Sequence, residues 1–233
     1  MPPQRQALSF KRRLLKWFRT HARPLPWRGT RDPYAVLVSE FMLQQTQVSR
    51  VLDFYPRFLA RFPTVRHLAR ARPRAVREAW DGLGYYRRAK HLHALAHAVV
   101  NDHGGDIPPH PEALRRLPGV GRYTAGAVAA FAFERRVAAV DTNVRRVLAR
   151  AFAPGAEGEK GERGRETDQR GPRGREREKW IWALAERLLP KSRRAAWEFN
   201  QALMDLGATI CVARKPKCTI CPVRAACVTG RRM

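Results

Sequence analysis

The chain has 233 residues, and its 46 lysines and arginines outnumber its 20 acidic residues to give a formal net charge of +26. A hydrophobic fraction of 44% is ordinary for a chain that buries a core, which excludes general disorder. The longest apolar run, at 125–133, is far shorter than the roughly 20 residues of a membrane span. The charge therefore points first to nucleic acid as the partner and second to an anionic membrane surface.

Helical periodicity dominates the chain. Residues 48–62 carry apolar side chains at the i, i+3, i+4, i+7 spacing, and Leu92, Leu95, Ala96 and Val99 repeat that pattern. Proline and glycine separate such segments, which predicts helices of about 10–15 residues joined by short turns. Because no run of alternating strand residues is present, we predict an all-α fold.

Two carboxylates are candidates for chemistry. Glu40 lies in a mostly apolar stretch that begins at Tyr34, and burial favours the neutral form that a general acid needs. A helix-cap or hydrogen-bonded structural glutamate is the alternative. Asp141 follows an apolar run and precedes a basic helix at 145–150, a position that by itself is typical of a helix N-cap.

A glycine-containing turn occupies 117–125, between segments of helical character at 111–116 and 124–133. Gly119 and Gly121 let the backbone approach a ligand closely and expose N–H groups at a helix start, which favours phosphate binding. A dinucleotide-binding loop is excluded, because the glycine spacing does not fit and no strand precedes the turn. An ordinary helix–helix turn is the alternative.

One segment departs from the helical pattern. Residues 157–179 contain almost no apolar side chains, and their acidic and basic residues nearly balance. We predict a flexible, solvated loop. The excess positive charge therefore belongs to the folded parts of the chain.

The cysteines form a single local group, at Cys211, Cys218, Cys221 and Cys227. A secreted protein would spread disulfides over its fold, so this grouping predicts an intracellular protein with one local cysteine site. A zinc site commonly uses two CxxC pairs, of which one is present, whereas a wider [4Fe–4S] cluster accepts unevenly spaced ligands. The spacing alone leaves both metals open.

Several motifs occur in a fixed order along the chain: LPWR at 25–28, SEFMLQQTQV at 39–48, GLGYYRRA at 82–89, LPGVGRYTAGA at 117–127, VDTNVRRVLAR at 140–150 and FNQALMDLGATIC at 199–211. Together they resemble the helix-hairpin-helix DNA glycosylases of the endonuclease III superfamily, and most closely the MutY-type adenine branch. The hairpin and the cysteines are typical of the superfamily, whereas LQQTQ and GLGYY are typical of the adenine branch. The resemblance runs from about residue 25 to Cys227, apart from the charged loop.

The resemblance implies an all-α, two-lobed helix-hairpin-helix glycosylase fold. A six-helix barrel at 28–136 would carry the hairpin, and residues 1–27 with 137–233 would form an iron–sulfur cluster lobe. Glu40 and Asp141 would face each other across a DNA cleft between the lobes. The implied ligands of a [4Fe–4S] cluster are Cys211, Cys218, Cys221 and Cys227.

The implied activity is monofunctional excision of adenine mispaired with guanine or 8-oxoguanine. Glu40 matches the family's acid that protonates adenine N7, and Asp141 matches the carboxylate that stabilises the oxocarbenium ion. Asn143 resembles a residue that supports Asp141. Tyr123 stands where bifunctional relatives carry a lysine, and a phenol cannot form the Schiff base that cleaves the strand.

The resemblance also assigns residues to the substrate. Those in or around the adenine pocket are Arg23, Leu25, Trp27, Arg28, Val48 and Gln201. Those that contact the base stack or the DNA backbone are Gln45, Tyr85, Gly119, Gly121, Arg122, Arg214, Lys215 and Lys217, with the arginines of 145–150. The expected partner is double-stranded DNA that contains a mismatch, bound by a monomer in the cytoplasm at the nucleoid, with no membrane association.

Two other functions stay open. Tyr123 also occurs in thymine glycosylases, so excision of thymine or uracil from T/G or U/G mismatches is the first alternative. A non-catalytic iron–sulfur DNA-binding protein is the second, and the presence of both Glu40 and Asp141 argues against it. Adenine glycosylases usually continue into a C-terminal domain resembling Nudix hydrolases, which this sequence, ending at Met233, is expected to lack.

Overall fold

The computed structural model describes residues 2–153 and 172–232, which contain helices and no β-strand, as the sequence predicts. No helix in these ranges is both long and apolar enough to cross a membrane. Short 3-10 helices lie at Pro26–Arg28, Cys218–Ile220 and Arg224–Ala226. The α-helices are α1 (Gln4–His21), α2 (Pro33–Leu43), α3 (Val48–Arg61), α4 (Val65–Arg70), α5 (Pro73–Ala79), α6 (Arg87–Asp102), α7 (Pro111–Leu114), α8 (Arg122–Phe131), α9 (Thr142–Phe152), α10 (Pro172–Leu188), α11 (Arg193–Thr209) and α12 (Val228–Arg232).

The helices group into two compact units. The first unit is the continuous segment Pro24–Arg135. The second unit combines Met1–Arg23 with Arg136–Met233, so α1 packs with helices from the other end of the chain.

The first unit is built around α2, which packs against α3, α6 and α8. Every residue from Tyr34 to Met42 is buried, as expected for a helix that is apolar on nearly all sides. The helix begins where Pro33 occupies its first position and the side chain of Asp32 accepts a hydrogen bond from the Tyr34 N–H at 2.9 Å. Glu40 is carried into the core by this helix.

The second unit is built around α9 and α11, which pack against each other. α1 packs on α11, and α10 and α12 pack on α9. Phe10, Phe152 and Phe199 lie in its core, and Cys211, Cys221 and Cys227 are half-buried against the same core. The cysteine segment is therefore attached to the main hydrophobic core of this unit.

The loop predicted at 157–179 lies outside the described residues as far as 171. The prediction was wrong for residues 172–179, because α10 begins at Pro172. Glu178 accepts hydrogen bonds from Arg145 at 2.9 Å and from Trp182 Nε1 at 2.8 Å, which hold this charged turn against α9. The apolar second half of α10 then enters the core.

Candidate active site and metal centre

Glu40 lies on α2 with only 5% of its surface exposed. Ser39 beside it is also buried and donates to the Val36 carbonyl oxygen at 2.8 Å, so the helix satisfies that hydroxyl internally. Ionising a carboxyl group away from water is costly. Glu40 is thus in the kind of setting that a general acid requires.

Asp141 is the N-cap of α9. Its Oδ1 accepts from the Val144 N–H at 2.7 Å, and its Oδ2 accepts from Asn143 Nδ2 at 2.9 Å. Burial raises the pKa of Asp141 above its ordinary value, and the two hydrogen bonds with the nearby charge of Arg146 oppose that rise only in part. The carboxylate that the sequence predicts for chemistry is therefore also the cap of its helix.

A chain of hydrogen bonds leads from Asp141 to the first cysteine. Asn143 Oδ1 accepts from Arg146 Nη2 at 2.8 Å, and Arg146 Nε donates to the Cys211 carbonyl oxygen at 2.8 Å. Arg146 Nη2 also donates to the Gly207 carbonyl oxygen at 2.8 Å. A Cβ at Gly207 would lie 2.6 Å from the Asn143 Cβ, so the absence of a side chain there lets α9 and α11 approach.

The arginines of 145–150 face the protein as well as solvent. Arg145 pairs with Glu178 at 2.9 Å, and Arg150 donates to the carbonyl oxygens of Val212 at 2.7 Å and Ala213 at 2.9 Å. The sequence predicts that these arginines contact DNA, and in the structure Arg146 and Arg150 also donate to backbone carbonyls. The reason is that α11 and the loop after it present carbonyl groups that have no partner within a helix.

The four cysteines line one cavity, whose empty volume is about 390 Å³ including the part open to solvent. Their thiols are free and half-buried, and Phe10, Val147 and Leu206 supply apolar walls. In the ranges that the structure describes, no three His, Cys, Asp or Glu side chains are arranged so that they could hold a metal ion. By their chemistry, four soft thiol donors with apolar walls are the donor set that an iron–sulfur cluster takes.

Burial also affects the thiols themselves. It raises the pKa of Cys221 to about 11 and raises the pKa of Cys227. Metal ligands must be thiolates, so binding of a metal by these cysteines would release protons.

The predicted hairpin joins α7 to α8. Gly119 has a φ of 76°, and a Cβ there would lie 2.7 Å from the His91 Cβ, so this position requires glycine on two counts. Gly121 is the N-cap of α8, and Arg122 is exposed in its first turn. Tyr123 follows, half-buried.

The other predicted pocket and DNA-contact residues range from buried to exposed. Trp27 is buried and packs edge-on against Tyr55, with ring centroids 5.5 Å apart. Arg23 donates from Nε to the fully buried Asp205 at 2.6 Å. Half-buried residues are Leu25, Arg28 and Val48; Gln201 is buried on α11; exposed residues are Gln45, Tyr85, Arg214, Lys215 and Lys217.

The two units share the predicted site residues between them. The first unit holds Leu25, Trp27, Arg28, Glu40, Gln45, Val48, Tyr85, Gly119, Gly121, Arg122 and Tyr123. The second unit holds Arg23, Asp141, Asn143, Gln201, Arg214, Lys215, Lys217 and the four cysteines.

Arg88 and Arg146 have individual roles that the sequence did not predict. Arg88 is buried and binds five backbone carbonyls, and Arg146 connects Asn143 to Cys211. A signal for Arg88 was present, because it stands four residues before Leu92 on the apolar stripe of α6. A positive charge on the buried face of a helix needs hydrogen-bond acceptors inside the protein.

The sequence of residues 38–171 matches the family model of the HhH-GPD superfamily base excision DNA repair proteins, which is more than half of the chain. The chain belongs to this superfamily. The HhH-GPD match contains Glu40, the hairpin and Asp141, and it ends before the cysteines.

Curated relatives of this HhH-GPD protein include adenine and thymine glycosylases. The adenine DNA glycosylase of Rattus norvegicus is 42% identical over 234 residues, covering 97% of this chain and 42% of that protein. That of Mycobacterium tuberculosis is 46% identical over 211 residues, covering 90% and 64%. The thymine-DNA glycosylase of Aeropyrum pernix is 39% identical over 223 residues, covering 94% and 93%. The chain thus spans about two fifths of the length of the rat relative.

Solved structures agree on the fold. A thermostable thymine-DNA glycosylase superposes with a TM-score of 0.84 at 32% identity, covering 98% of both chains. An endonuclease III trapped as a covalent intermediate with DNA superposes with a TM-score of 0.77 at 21% identity, covering 100% of this chain and 99% of that chain. The second likeness concerns the fold alone.

Proposed function

We propose that this protein is a base-excision-repair DNA glycosylase that hydrolyses the N-glycosidic bond of adenine mispaired with guanine or 8-oxoguanine. The observation that carries the proposal is the similarity to adenine DNA glycosylases at 42% and 46% identity over 90% or more of this chain. Glu40 and Asp141 both belong to the matched segment. The presence of both carboxylates argues against a binding protein without activity.

Chemistry at an adenine requires that the base leave the duplex, because its glycosidic bond is inaccessible within the stack. Neutral Glu40 donates its proton to adenine N7, the bond between C1′ and N9 breaks, and its electron pair leaves with the base. Ionised Asp141 stabilises the positive charge that develops on the sugar. Water then adds to C1′ and loses a proton, which leaves an abasic site and free adenine.

The two carboxylates need opposite protonation states. Glu40 lies inside an apolar helix, whereas Asp141 accepts two hydrogen bonds that favour its ionised form and partly offset the rise in pKa that burial causes. Asn143 is the side chain that supplies the second of those bonds. This supports its assignment as a residue that maintains Asp141.

Tyr123 in α8 provides a phenol where strand cleavage would need an amine. The enzyme is therefore proposed to be monofunctional. Borohydride should trap no covalent adduct with DNA, and the strand should break only after alkali treatment. Strand scission without alkali would contradict this part of the proposal.

The DNA partner is proposed from the hairpin and the exposed cations. The N–H groups at the start of α8, after Gly119 and Gly121, suit a phosphate, and Arg122 is exposed beside them. Arg214, Lys215 and Lys217 add exposed positive charge on the cysteine segment. A mismatch as the recognised feature, and a monomer as the active state, remain predictions.

The cofactor proposed for the cysteine cavity is a [4Fe–4S] cluster bound by Cys211, Cys218, Cys221 and Cys227. When bound, it would cross-link the segment that carries the exposed cations and so hold them in one conformation. Its redox chemistry is not needed for hydrolysis of a glycosidic bond. No step of the proposed reaction passes through the cluster.

Excision of thymine or uracil opposite guanine is the second candidate. The observation in its favour is the thymine-DNA glycosylase of Aeropyrum pernix, which is 39% identical and of similar length, since the match covers 93% of it. The thymine-DNA glycosylase structure also superposes over 98% of the chain.

One panel of substrates decides between the candidates. Duplexes that contain adenine, thymine or uracil opposite guanine or 8-oxoguanine are incubated with the protein and then treated with alkali. We expect cleavage at adenine. Cleavage of only the thymine or uracil duplexes would replace the first candidate with the second, and no cleavage of any duplex would contradict both.

A further inference from the structure

Two turns of the first unit hold residues in an unusual backbone conformation. Gln45 lies between α2 and α3 with a φ of 56°, and Tyr85 lies between α5 and α6 with a φ of 48°. A left-handed φ is unfavourable for residues other than glycine, so surrounding contacts must maintain it. Both side chains are exposed, that of Tyr85 to 61%. The backbone of each turn is thus constrained while its side chain remains available to a ligand.

A single guanidinium group contacts the first of these turns from inside the protein. Arg88 lies in α6 and is only 7% exposed. Its Nη1 donates to three carbonyl oxygens, those of Phe41 at 3.0 Å, Met42 at 2.8 Å and Gln44. Carbonyls in the last turn of α2 have no partner within their helix, and the helix dipole favours a cation there. The end of α2 and the Gln45 turn therefore provide a binding site for one arm of Arg88.

The other arm of the same guanidinium contacts the second turn. Arg88 Nη2 donates to the carbonyl oxygens of Leu83 at 3.3 Å and Gly84 at 3.1 Å. The guanidinium carbon lies 5.5 Å from the Trp80 ring centroid and 5.4 Å from that of Tyr85, which is cation–π distance. Trp80 Nε1 donates to the Gly84 carbonyl oxygen at 3.2 Å and strengthens the same turn.

We infer that Arg88 is a positioning residue that couples the Gln45 turn to the Tyr85 turn, so that both side chains enter the base stack as one preformed wedge. The inference rests on the proposed function, since it assigns Gln45 and Tyr85 to the DNA. Arginine suits this task because its planar fork directs donors to two sides, whereas a lysine ammonium is a point charge. Misplacement of a positioning group by 1 Å can slow an enzyme about a hundredfold.

Backbone exchange tests the coupling without any substrate. Hydrogen–deuterium exchange is followed in peptides covering 43–47 and 82–86, in the native chain and in Arg88→Lys and Arg88→Met variants. We expect faster exchange in both peptides for both variants. The control is Arg87→Lys, the exposed neighbour on the same helix, which should leave both peptides unchanged. Loosening of only one turn, or of neither, would overturn the inference.

A double-mutant cycle tests the consequence for catalysis. Arg88→Lys should lower the single-turnover excision rate about tenfold to a hundredfold, with most of the loss absent when Tyr85 is already alanine. Without the Tyr85 ring, positioning of its turn by Arg88 no longer contributes to the excision rate. Equal losses in both backgrounds would mean that Arg88 is merely structural and would overturn its positioning role.

The two proposals fail in distinguishable ways. A native chain that cleaves no mismatched duplex contradicts the proposed function. The exchange experiment then still decides whether Arg88 couples the turns, because it needs no DNA.

Discussion

Asn143 Nδ2 donates a hydrogen bond to Asp141 Oδ2 at 2.9 Å, at the start of α9. An ionised carboxylate accepts such a bond more strongly than a neutral carboxyl group, so the contact lowers the pKa of Asp141 against the effect of burial. The proposed reaction needs this carboxylate in its ionised form. The amide of Asn143 is thereby linked to the pH range of activity.

Replacement of Asn143 by alanine should shift the acidic side of the pH–rate profile for excision to higher pH. Loss of a hydrogen bond to a charged group costs about 1.5–3 kcal/mol, so at neutral pH we expect the rate to fall by at most about tenfold to a hundredfold. Single-turnover rates measured across the pH range check this. Asn101→Ala, at an exposed position of α6, is the control. A uniform loss with no shift of the acidic side would assign Asn143 a different role.

Asp141 also makes the stability of the fold depend on pH. The pKa of Asp141 in the folded state is raised, so the folded state binds this proton more readily than the unfolded chain. The contribution of Asp141 to the free energy of unfolding is therefore fully present at pH below its pKa in the unfolded chain. That contribution is lost as the pH rises through its higher pKa in the folded state. Asn143→Ala should widen that interval, which chemical denaturation at several pH values would detect.

Glu40→Gln should abolish most of the excision, because glutamine cannot donate the proton that adenine N7 requires. General acids contribute about 10²–10⁴-fold, and the single-turnover rate should fall by that order. The substitution keeps the size of a buried side chain, so thermal unfolding should change little. Glu78→Gln, about half exposed, is the matched control. Full activity in Glu40→Gln would remove Glu40 from the mechanism.

Arg146→Lys should weaken both the active site and the cysteine segment, because lysine cannot replace the fork that reaches Asn143 and Cys211. We expect slower excision together with less iron retained per chain after purification. Arg145→Lys is the control, since lysine can preserve the ion pair with Glu178. Slower excision with normal iron content would show that the hydrogen-bond chain does not support the metal site.

Gly207→Ala should separate α9 from α11. The new Cβ would lie 2.6 Å from the Asn143 Cβ, and the other near atoms are backbone of the same residue, so the helices must shift. Overpacking of this kind costs about 1–3 kcal/mol. Thermal or denaturant unfolding measures it, with Gly29→Ala as the control, because a Cβ there meets only the Pro26 carbonyl oxygen at 3.6 Å. Equal stability of the two variants would contradict the predicted clash.

Cys218→Ser should remove the proposed cluster. The native chain is expected to be brown and to contain about four iron atoms with matching sulfide. The variant should lose the colour and most of the iron, whereas Thr219→Ser should keep both. A colourless native protein that contains zinc would show that the metal proposal is wrong.

Local features of this chain could be predicted from its sequence. The apolar stripe at 48–62 corresponds to α3, Asp141 is an N-cap, and the hairpin lies where its glycines indicate. Each of these depends on residues within one or two helical turns, whose interactions are decided by neighbours in the chain.

Only the tertiary structure decided what the buried arginines do. Arg146 binds a carbonyl 65 residues further along the chain, and Arg88 binds carbonyls 44–47 residues before it. The acceptors are backbone carbonyl oxygens near the C-terminal ends of helices, where no partner exists within the helix. The local sequence does not indicate which arginine will pack against which helix end. The helix at 172–179 also makes a contact that the local pattern does not contain, since its Glu178 pairs with Arg145 and the apolar residues that follow it enter the core.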